Sequence, residues 1–269
     1  MEEKYIEKLI HFVEGILDEK PDIIALQEVN QSIDAPLVPM EELAGYHACR
    51  EDVVIRKDNH VWNVVKMLRL KGMEYYWTWL PLKKGYDKYD EGIAFMSRSP
   101  INGTDILPIS NVDDYENWKT RKILGISVEA YWDEWFYSVH YGWWDDEEEP
   151  FGQQWRITDA YMKKYNKIWL MGDFNNSDQV EAEGYDMVAD SGWLDSYMLA
   201  ERKDLGITVG NVIDGWKEKI TDTDGMRLDQ IWCNQAEKVK SSKVVFNGKK
   251  YPIVSDHYGV LIEVERSLE

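Results

Sequence analysis

Two oxygen-bearing side chains stand two positions apart after a short apolar run in the chain. The run Ile168–Met171 contains β-branched and aromatic residues, which is typical of a buried strand, and Gly172 ends it. Asp173 and Asn175 follow, and side chains two apart in an extended backbone point to the same side. Such a pair suits a hard cation such as Mg²⁺. The same residue types are common in turns, so this pair alone leaves a plain strand-to-turn transition open.

Other polar residues of catalytic type also lie where predicted strands end. Glu28 follows the apolar run at 22–26, and His140 closes the predicted strand at 135–140. The complete set at strand ends or strand–loop junctions is Glu28, Glu91, His140, Asp173, Asn175, Asp229, Asp256 and His257. A rigid sheet commonly positions functional side chains in this way. A single member has an ordinary alternative as a surface acid, a turn residue or a half-buried histidine, but the recurrence favours a common site.

The elements that position these residues are a mixture of helices and strands. Apolar residues at helical spacing predict an amphipathic helix over residues 4–19, and Pro21 follows it. Further helices are predicted near residues 62–71, 153–165 and 180–190. Further strands are predicted over residues 75–80, 92–97, 228–232 and 258–264. Residues 85–91 are predicted to form a polar loop, and 123–140 a hairpin with its turn near 132–134. The pattern indicates an α/β protein and leaves its topology open.

Composition favours one large domain over residues 1–269. The chain has 44% hydrophobic residues, enough for a full core, and no linker-like or repeated segment. Its 13 Trp and 16 Tyr are many for this length, and exposed aromatic rings can stack on ligands. The net charge of −19 disfavours a nucleic-acid partner, because such proteins usually present a basic face to phosphates.

The expected location is the cytoplasm. Cys49 and Cys233 give neither a disulfide framework nor a metal-ligand spacing, which fits a reducing compartment. The start, Met-Glu-Glu-Lys, lacks the pattern of a signal peptide. No apolar run approaches the roughly 18 residues that a membrane span needs.

Six short motifs occur in an order that resembles the endonuclease/exonuclease/phosphatase superfamily. They are Leu-Gln-Glu-Val at 26–29, Asp-Glu-Gly-Ile-Ala at 90–94, Val-His-Tyr-Gly at 139–142, Gly-Asp-Phe-Asn at 172–175, Arg-Leu-Asp-Gln-Ile at 227–231 and Ser-Asp-His at 255–257. The resemblance extends from about residue 5 to residue 265. It implies a four-layer α/β/β/α sandwich, with two mixed sheets packed face to face and helices outside. It also implies metal-dependent hydrolysis of a phosphate ester.

A closer resemblance is to bacterial sugar-phosphate phosphatases typified by maltose 6′-phosphate phosphatase. It rests on the aromatic segment at 75–79, the loop at 85–92 and the segment His-Tyr-Gly-Trp-Trp-Asp-Asp at 140–146. The implied substrate is a small phosphorylated sugar, such as a disaccharide phosphate. Trp143, Trp144 and Trp155 are therefore candidates for stacking on sugar rings, with core packing as the equally weighted alternative.

The resemblance also implies how the metal and the water are held. Glu28 is the expected ligand of Mg²⁺ or Mn²⁺, and Asp256 joins it or holds a second ion. Asp173 and Asn175 are expected to position the attacking water or the phosphoryl oxygens. The number of ions remains open.

Two histidines are expected to move protons or to stabilise charge. His257 is implied to pair with Asp229, and to act as a general base or as a cation. His140 is implied to be held by Glu91 and to donate to the phosphoryl group. Arg121 matches a basic position that contacts phosphate in the superfamily, and its alternative is an ordinary surface arginine.

The main departure from the superfamily pattern is at the start of the chain. Family members have a buried strand with an Asn near the metal before the first helix, whereas only Met-Glu-Glu precedes the predicted helix here. We therefore expect open strand edges and exposed apolar surface where that strand would lie.

Two other functions are consistent with the sequence. One is a nuclease or another phosphodiesterase of the same superfamily, which requires a basic groove that the net charge of −19 disfavours. The other is a binding protein impaired in catalysis, which the missing strand favours and the complete catalytic set opposes. Residues 196–226 have no readable pattern, and Trp216, Lys217 and Lys219 in this segment are weak candidates for substrate contact.

Overall fold

The computed structural model of the protein describes residues 4–210 and 225–266. The helices are α1 Tyr5–Glu19, α2 His60–Leu70, α3 Phe151–Met162, α4 Gly184–Asp190 and α5 Ser196–Leu199, with a 3₁₀ turn at Met40–Glu42. The strands are β1 Ile23–Ser32, β2 Tyr76–Gly85, β3 Tyr89–Ser97, β4 Ile101–Pro108, β5 Lys122–Val128, β6 Tyr131–His140, β7 Lys167–Asp173, β8 Leu194–Asp195, β9 Arg202–Lys203, β10 Asp229–Cys233, β11 Val239–Val245 and β12 Gly259–Val264.

The strands form one large sheet and two small ones. The large sheet has six strands in the order β4-β5-β6-β7-β10-β8, with β6 and β7 parallel. The layer facing it contains two three-stranded sheets, β1-β3-β2 and β12-β11-β9. The expected α/β class, with facing sheets and outer helices, is thus confirmed, although the second layer is divided.

Alternation of side chains along the strands creates separate cores on the two faces of the large sheet. In β7, Ile168 and Leu170 belong to the core beneath α3 and α4, whereas Trp169 belongs to the core between the sheets. Successive strand residues point to opposite faces, which explains why this strand reads as a continuous apolar run. A third core joins α1 and α2 to the outer face of β1–β3, with Leu9, Val13 and Leu68 among its members.

The structure corrects two sequence-based predictions about loops. The predicted loop at 85–91 is only a short turn, because β2 runs to Gly85 and β3 begins at Tyr89. The hairpin turns between Val128 and Tyr131 rather than near residues 132–134. Glu134 explains the second error. It lies within β6 instead of in the turn, and its buried carboxylate accepts a hydrogen bond from Trp169 Nε1.

The edges of β1 and β12 face each other across an open groove. Among residues 4–210 and 225–266, no strand pairs with the second edge of either one. The groove has a volume of about 350 Å³, and its lining includes Ile23, Phe136, Trp169, Val260 and Ile262. Residues 23–26, at the start of β1, are therefore only half-buried. Open edges and apolar surface are what the sequence led us to expect here.

No helix in the described part of the chain combines the length and the apolar character that crossing a membrane requires. Cys49 and Cys233 are both free thiols.

The groove gives a physical reason for a prediction about stability. A form extended ahead of α1 by one strand of about 5–10 residues is expected to melt several degrees higher and to be more active, since the strand would pair with two open edges. Differential scanning calorimetry and phosphate-release assays measure both effects. The matched control carries prolines at alternate positions of the extension, because proline cannot donate to a strand ladder. Unchanged melting temperature and activity in the apolar extension contradict the prediction.

Candidate active site

Strand register brings three of the predicted site residues side by side. His140, the last residue of β6, lies opposite Asp173 at the end of the parallel strand β7. Asp229, the first residue of β10, lies opposite Asp173 on its other side. One row across three neighbouring strands thus carries an imidazole and two carboxylates.

The same alternation that builds the core between the sheets points this row toward the second layer. Asp173 is four residues from Trp169, a member of that core, and therefore lies on the same face of β7. The facing sheet contributes a second row, in which Glu91 of β3 lies opposite Asn30 and Lys83. The candidate site is therefore the polar end of the apolar layer between the sheets.

A bulge in β1 sets the position of Glu28. The pairing with β3 shifts between Leu26 and Val29, so Gln27 and Glu28 together lie opposite a single residue. Glu28 has a left-handed φ of 53°, which a non-glycine residue rarely adopts. Bulges and strained residues are frequent near active sites, where they re-aim a side chain. A sequence-based strand assignment contains no signal for this bulge.

The turn after β7 holds Asp173 and Asn175 in fixed relation. Gly172 has a φ of 146°, and a Cβ added there would lie 2.2 Å from the carbonyl oxygen of Val139. The backbone N–H of Asn175 donates to Asp173 Oδ1 over 2.8 Å, and Asn175 Nδ2 donates to the carbonyl of Tyr141 over 2.9 Å. Glycine is thus required at 172 so that β6 and β7 can approach closely at the site.

His257 forms the ion pair with Asp229 that the family resemblance implied. Its Nδ1 lies 2.9 Å from Asp229 Oδ2. Burial alone would lower the pKa of His257, but the hydrogen bond and the charge of Asp229 outweigh burial and raise this pKa to about 10. The ring is therefore an imidazolium at neutral pH.

His140 is in the opposite protonation state. Burial, followed by the charges of Arg121 and Lys83, lowers the pKa of His140 well below its ordinary value of 6.5. Its Nε2 lies 3.6 Å from Asp173 Oδ2. The expectation that Glu91 holds His140 is wrong in this structure, because the Glu91 carboxylate lies 3.1 Å from Lys83 Nζ and pairs with that lysine.

Asp173 has a carboxylate that titrates near neutral pH. Burial and the neighbouring charge of Asp229 raise the pKa of Asp173 to about 7, while His257 opposes that shift. A carboxylate with such a pKa is suited to exchange protons with a water molecule. Asp173 can therefore accept a proton near neutral pH, while His257 carries a positive charge there.

The carboxylates around Glu28 fit a divalent cation. Glu28 as a residue is accessible to solvent, but the protein closely surrounds its carboxylate. This burial raises the pKa of Glu28, and the charges of Glu91 and Asp256 raise it further. A hard cation would relieve this repulsion and is normally bound by such oxygens. The donor set therefore fits Mg²⁺ or Mn²⁺ at Glu28 and Asp256.

A second group of possible metal ligands comprises Asp173, Asp229 and His257. Their ligand atoms all lie within 4.8 Å of one another. His257 Nδ1 is already bonded to Asp229, so only the other nitrogen of the ring could bind an ion in this group. Both groups of side chains are therefore candidates for holding a cation.

Two buried cations lie beside these carboxylates. Arg121 is 7% exposed, and its Nε has no hydrogen-bond partner among the described residues. It is therefore not an ordinary surface arginine, and a buried donor without a partner fits an anion. Lys83 Nζ lies between the Glu91 carboxylate and the carbonyl oxygen of Trp118, which it contacts at 3.0 Å. Lys83 was not predicted from the sequence, although a lysine in an apolar strand is a signal of a functional side chain.

The predicted aromatic residues are in three different environments. Trp143 is 42% exposed, and its Nε1 donates to Asn175 Oδ1 over 3.1 Å. Trp144 is half-buried against the core beneath α3. Trp155 is 1% exposed and its Nε1 donates to Ser191, so it is a core residue and not part of a substrate surface. The weaker candidates Trp216, Lys217 and Lys219 lie outside the described residues.

Comparisons with known proteins agree with this geometry. Residues 5–257 match the model of the Endonuclease/Exonuclease/phosphatase family. The structure resembles an endonuclease/exonuclease/phosphatase family protein from Leptotrichia buccalis C-1013-b, with 32% identity, a TM-score of 0.85, and coverage of 99% of this chain and 96% of that chain. No curated protein matches the chain.

Two more distant structures share the fold. The mannosyl-6-phosphatase Bt3783 of Bacteroides thetaiotaomicron VPI-5482 has 14% identity and a TM-score of 0.64, with coverage of 97% of this chain and 92% of that chain. The 3′ phosphatase NExo from Neisseria, bound to a product DNA hairpin, has 17% identity and a TM-score of 0.59, with coverage of 96% and 94%. At these identities the likeness concerns the fold alone.

The His257–Asp229 pair predicts how stability depends on pH. Because folding raises the pKa of His257 from 6.5 to about 10, the pair stabilises fully below pH 6.5 and loses this contribution as the pH rises toward 10. The loss is at most about 1.4 kcal/mol per pH unit, and partial exposure reduces it. Thermal unfolding at pH 7 and pH 10, in a chelator, should show a smaller decrease in melting temperature for His257→Asn than for the wild type.

His47→Asn provides the control, because this half-buried histidine lies near Trp77, away from the site. Its pH dependence should equal that of the wild type. An identical pH dependence in His257→Asn and the wild type would contradict the assignment of the imidazolium.

Proposed function

Because the chain belongs to the Endonuclease/Exonuclease/phosphatase family, we propose that it is a metal-dependent phosphatase that hydrolyses the phosphomonoester of a small sugar. A disaccharide phosphate such as maltose 6′-phosphate is the proposed type of substrate. The proposal rests mainly on one observation: the carboxylates of Asp173 and Asp229 and the ring of His257 lie together, with their ligand atoms within 4.8 Å of one another. This cluster supplies a group that accepts a proton and a group that carries positive charge.

The phosphoryl group would bind next to Arg121 and Lys83. A phosphomonoester dianion needs positive charge around its oxygens, and both of these cations are buried at the site. The Nε of Arg121 offers a donor that no residue in the described part of the chain accepts. His140, neutral at physiological pH, would donate one further hydrogen bond to a phosphoryl oxygen.

Glu28 and Asp256 would hold Mg²⁺ or Mn²⁺. When bound, the ion neutralises charge on the phosphoryl group and fixes its orientation. Glu91 then keeps Lys83 in place through their contact at 3.1 Å.

Water activation is assigned to Asp173 with help from Asn175. Asp173 Oδ1 accepts the backbone N–H of Asn175, so its second oxygen, Oδ2, remains to accept a proton from water. Asn175 Nδ2 retains one hydrogen beyond its bond to Tyr141 and can orient that water. His257 serves as the cation that stabilises developing negative charge, and Asp229 keeps it charged.

The net charge favours a sugar phosphate over nucleic acid. The net charge of −19 repels a polyanion, whereas a small monoester brings only its own phosphate. Both a mannosyl-6-phosphatase and a DNA-bound 3′ phosphatase share the fold, so the charge carries the choice between these substrates. The free thiols of Cys49 and Cys233 are consistent with the proposed cytoplasmic location.

A phosphate-release screen tests the proposed function. Purified protein is incubated with Mg²⁺ or Mn²⁺ and a panel of disaccharide phosphates, abasic or 3′-phosphorylated DNA, and sphingolipids. We expect release from disaccharide phosphates, its abolition by a chelator, its recovery after Mg²⁺ is restored, and its loss in His257→Ala. Cleavage of DNA alone would instead identify a nuclease. Absence of turnover, even in the extended form, would favour a binding protein.

The role of Asp173 predicts a specific pH profile. Since its carboxylate must be ionised to accept a proton, kcat should rise with pH through about 7. Asp173→Asn should reduce kcat by about 10²- to 10⁴-fold, because the amide cannot accept that proton. Asp52→Asn, an exposed aspartate paired with Arg50, is the matched control. A kcat for Asp173→Asn close to the wild-type value contradicts the assignment.

A further inference from the structure

Two exposed tryptophans stand beside the catalytic cluster. Trp118 is 54% exposed and Trp143 is 42% exposed, although large aromatic side chains usually bury most of their surface. Their ring centroids are 6.4 Å apart and their planes are inclined by 57°. We propose that these two rings bind the sugar of the substrate, an inference that rests on the proposed function.

The backbone of Trp118 is anchored by the cations of the site. Its carbonyl oxygen accepts hydrogen bonds from Lys83 Nζ at 3.0 Å and from Arg121 Nη1 at 2.8 Å. Both donors are buried, so the contact fixes the loop at 110–120 against the place where phosphate is expected. The indole is thereby held next to the leaving group of a bound phosphomonoester.

Trp143 is anchored by a different group of the site. Its Nε1 donates to Asn175 Oδ1 over 3.1 Å, which uses the polar edge of the indole and leaves a large part of the residue open. An aromatic residue with a satisfied N–H and an open surface is suited to contact a ligand. The two tryptophans therefore approach the catalytic groups from separate loops.

The angle between the two indole planes favours a puckered sugar ring as the ligand over a flat nucleobase. A nucleobase stacks best between parallel aromatic planes, as in single-stranded nucleic-acid binders. Planes inclined by 57° form an open corner instead. A pyranose presents C–H groups on both faces and at its edge, so it can contact two inclined indoles at once.

The surrounding charge points to an uncharged polyhydroxy group. Residues 111–120 and 143–150 contain eight acidic residues and one lysine, Lys119. That lysine already pairs with Asp146 and Glu148, at 2.8 Å and 3.0 Å. Several of these carboxylates are already used, since Glu116 pairs with Lys84, Asp113 pairs with Lys122, and Glu149 is buried against backbone N–H groups. The remaining negative charge disfavours a ligand with several phosphates and therefore favours a sugar that carries a single one.

Trp118→Ala tests the inference, with Trp118→Phe as the conservative variant and Trp132→Ala as the control. Trp132 is 80% exposed at the start of β6 and lies at the opposite end of that strand from His140. Each protein is assayed with a disaccharide 6-phosphate, a nucleoside 5′-monophosphate and glycerol 3-phosphate. Inhibition by the unphosphorylated disaccharide is measured in the same assays.

In Trp118→Ala we expect the ratio of kcat/KM for the disaccharide phosphate to that for glycerol 3-phosphate to fall about 10-fold, mainly through KM. The inhibition constant of the unphosphorylated disaccharide should rise by a similar factor. Trp118→Phe should recover most of both effects, and Trp132→Ala should leave both unchanged.

Several results would overturn the inference. An equal loss for disaccharide phosphate and glycerol 3-phosphate assigns Trp118 a structural role, and no loss removes it from the binding surface. A larger loss for the nucleoside monophosphate identifies a base-binding surface instead. A wild type that hydrolyses none of the sugar phosphates refutes the proposed function itself, which is a different outcome from a selective failure of Trp118.

Discussion

The arrangement of the site depends on charged side chains being held at the end of an apolar layer. Isolated buried charges are costly, so each must have a partner. Here Asp229 pairs with His257 and Glu91 pairs with Lys83. Burial raises the pKa of Glu28 and Asp173, with further increases from Glu91 and Asp256 at Glu28 and from Asp229 at Asp173. Burial, followed by the positive charges of Arg121 and Lys83, lowers the pKa of His140 and keeps it neutral. Holding these charges close together costs folding free energy, and it also produces the protonation states on which the proposed reaction depends.

Catalysis and recognition are assigned to different parts of the architecture. His140, Asp173 and Asp229 are held by strand register, which allows little movement. Trp118 and Trp143 are on loops, but hydrogen bonds attach Trp118 to Lys83 of β2 and Trp143 to Asn175 in the turn after β7. The sheet thus holds the groups that need accurate geometry for catalysis, while the loop side chains that select a substrate can vary without disturbing the sheet.

Much of the site could be predicted from sequence because strand ends are readable. The apolar runs placed Glu28, His140, Asp173 and Asp229 near strand ends, and the structure brings all four residues into one site. Only His140 and Asp173 end their strands, whereas Glu28 lies at a bulge within β1 and Asp229 begins β10. Contacts between side chains of different elements were harder to predict from the sequence. Nothing in the sequence showed that Glu91 would pair with Lys83 rather than hold His140.

The burial of individual aromatic residues also could not be predicted from the sequence. Trp143 and Trp155 share a residue type and lie near each other in the chain, yet one is 42% exposed and the other 1% exposed. The difference arises because Trp155 is on the inward face of α3, where it packs against Trp193. The division of the second layer depends similarly on which strand edges meet, since β1 and β12 are more than two hundred residues apart in the sequence.

The most direct test of the central claim is a crystal structure of the protein with Mn²⁺ and inorganic phosphate, with the ion located by anomalous scattering. The account predicts an ion bound by the carboxylates of Glu28 and Asp256, with a phosphate oxygen in contact with Arg121 and with His257 still paired to Asp229. An ion bound instead by Asp173, Asp229 and the ring of His257, with Glu28 free of metal, would contradict it.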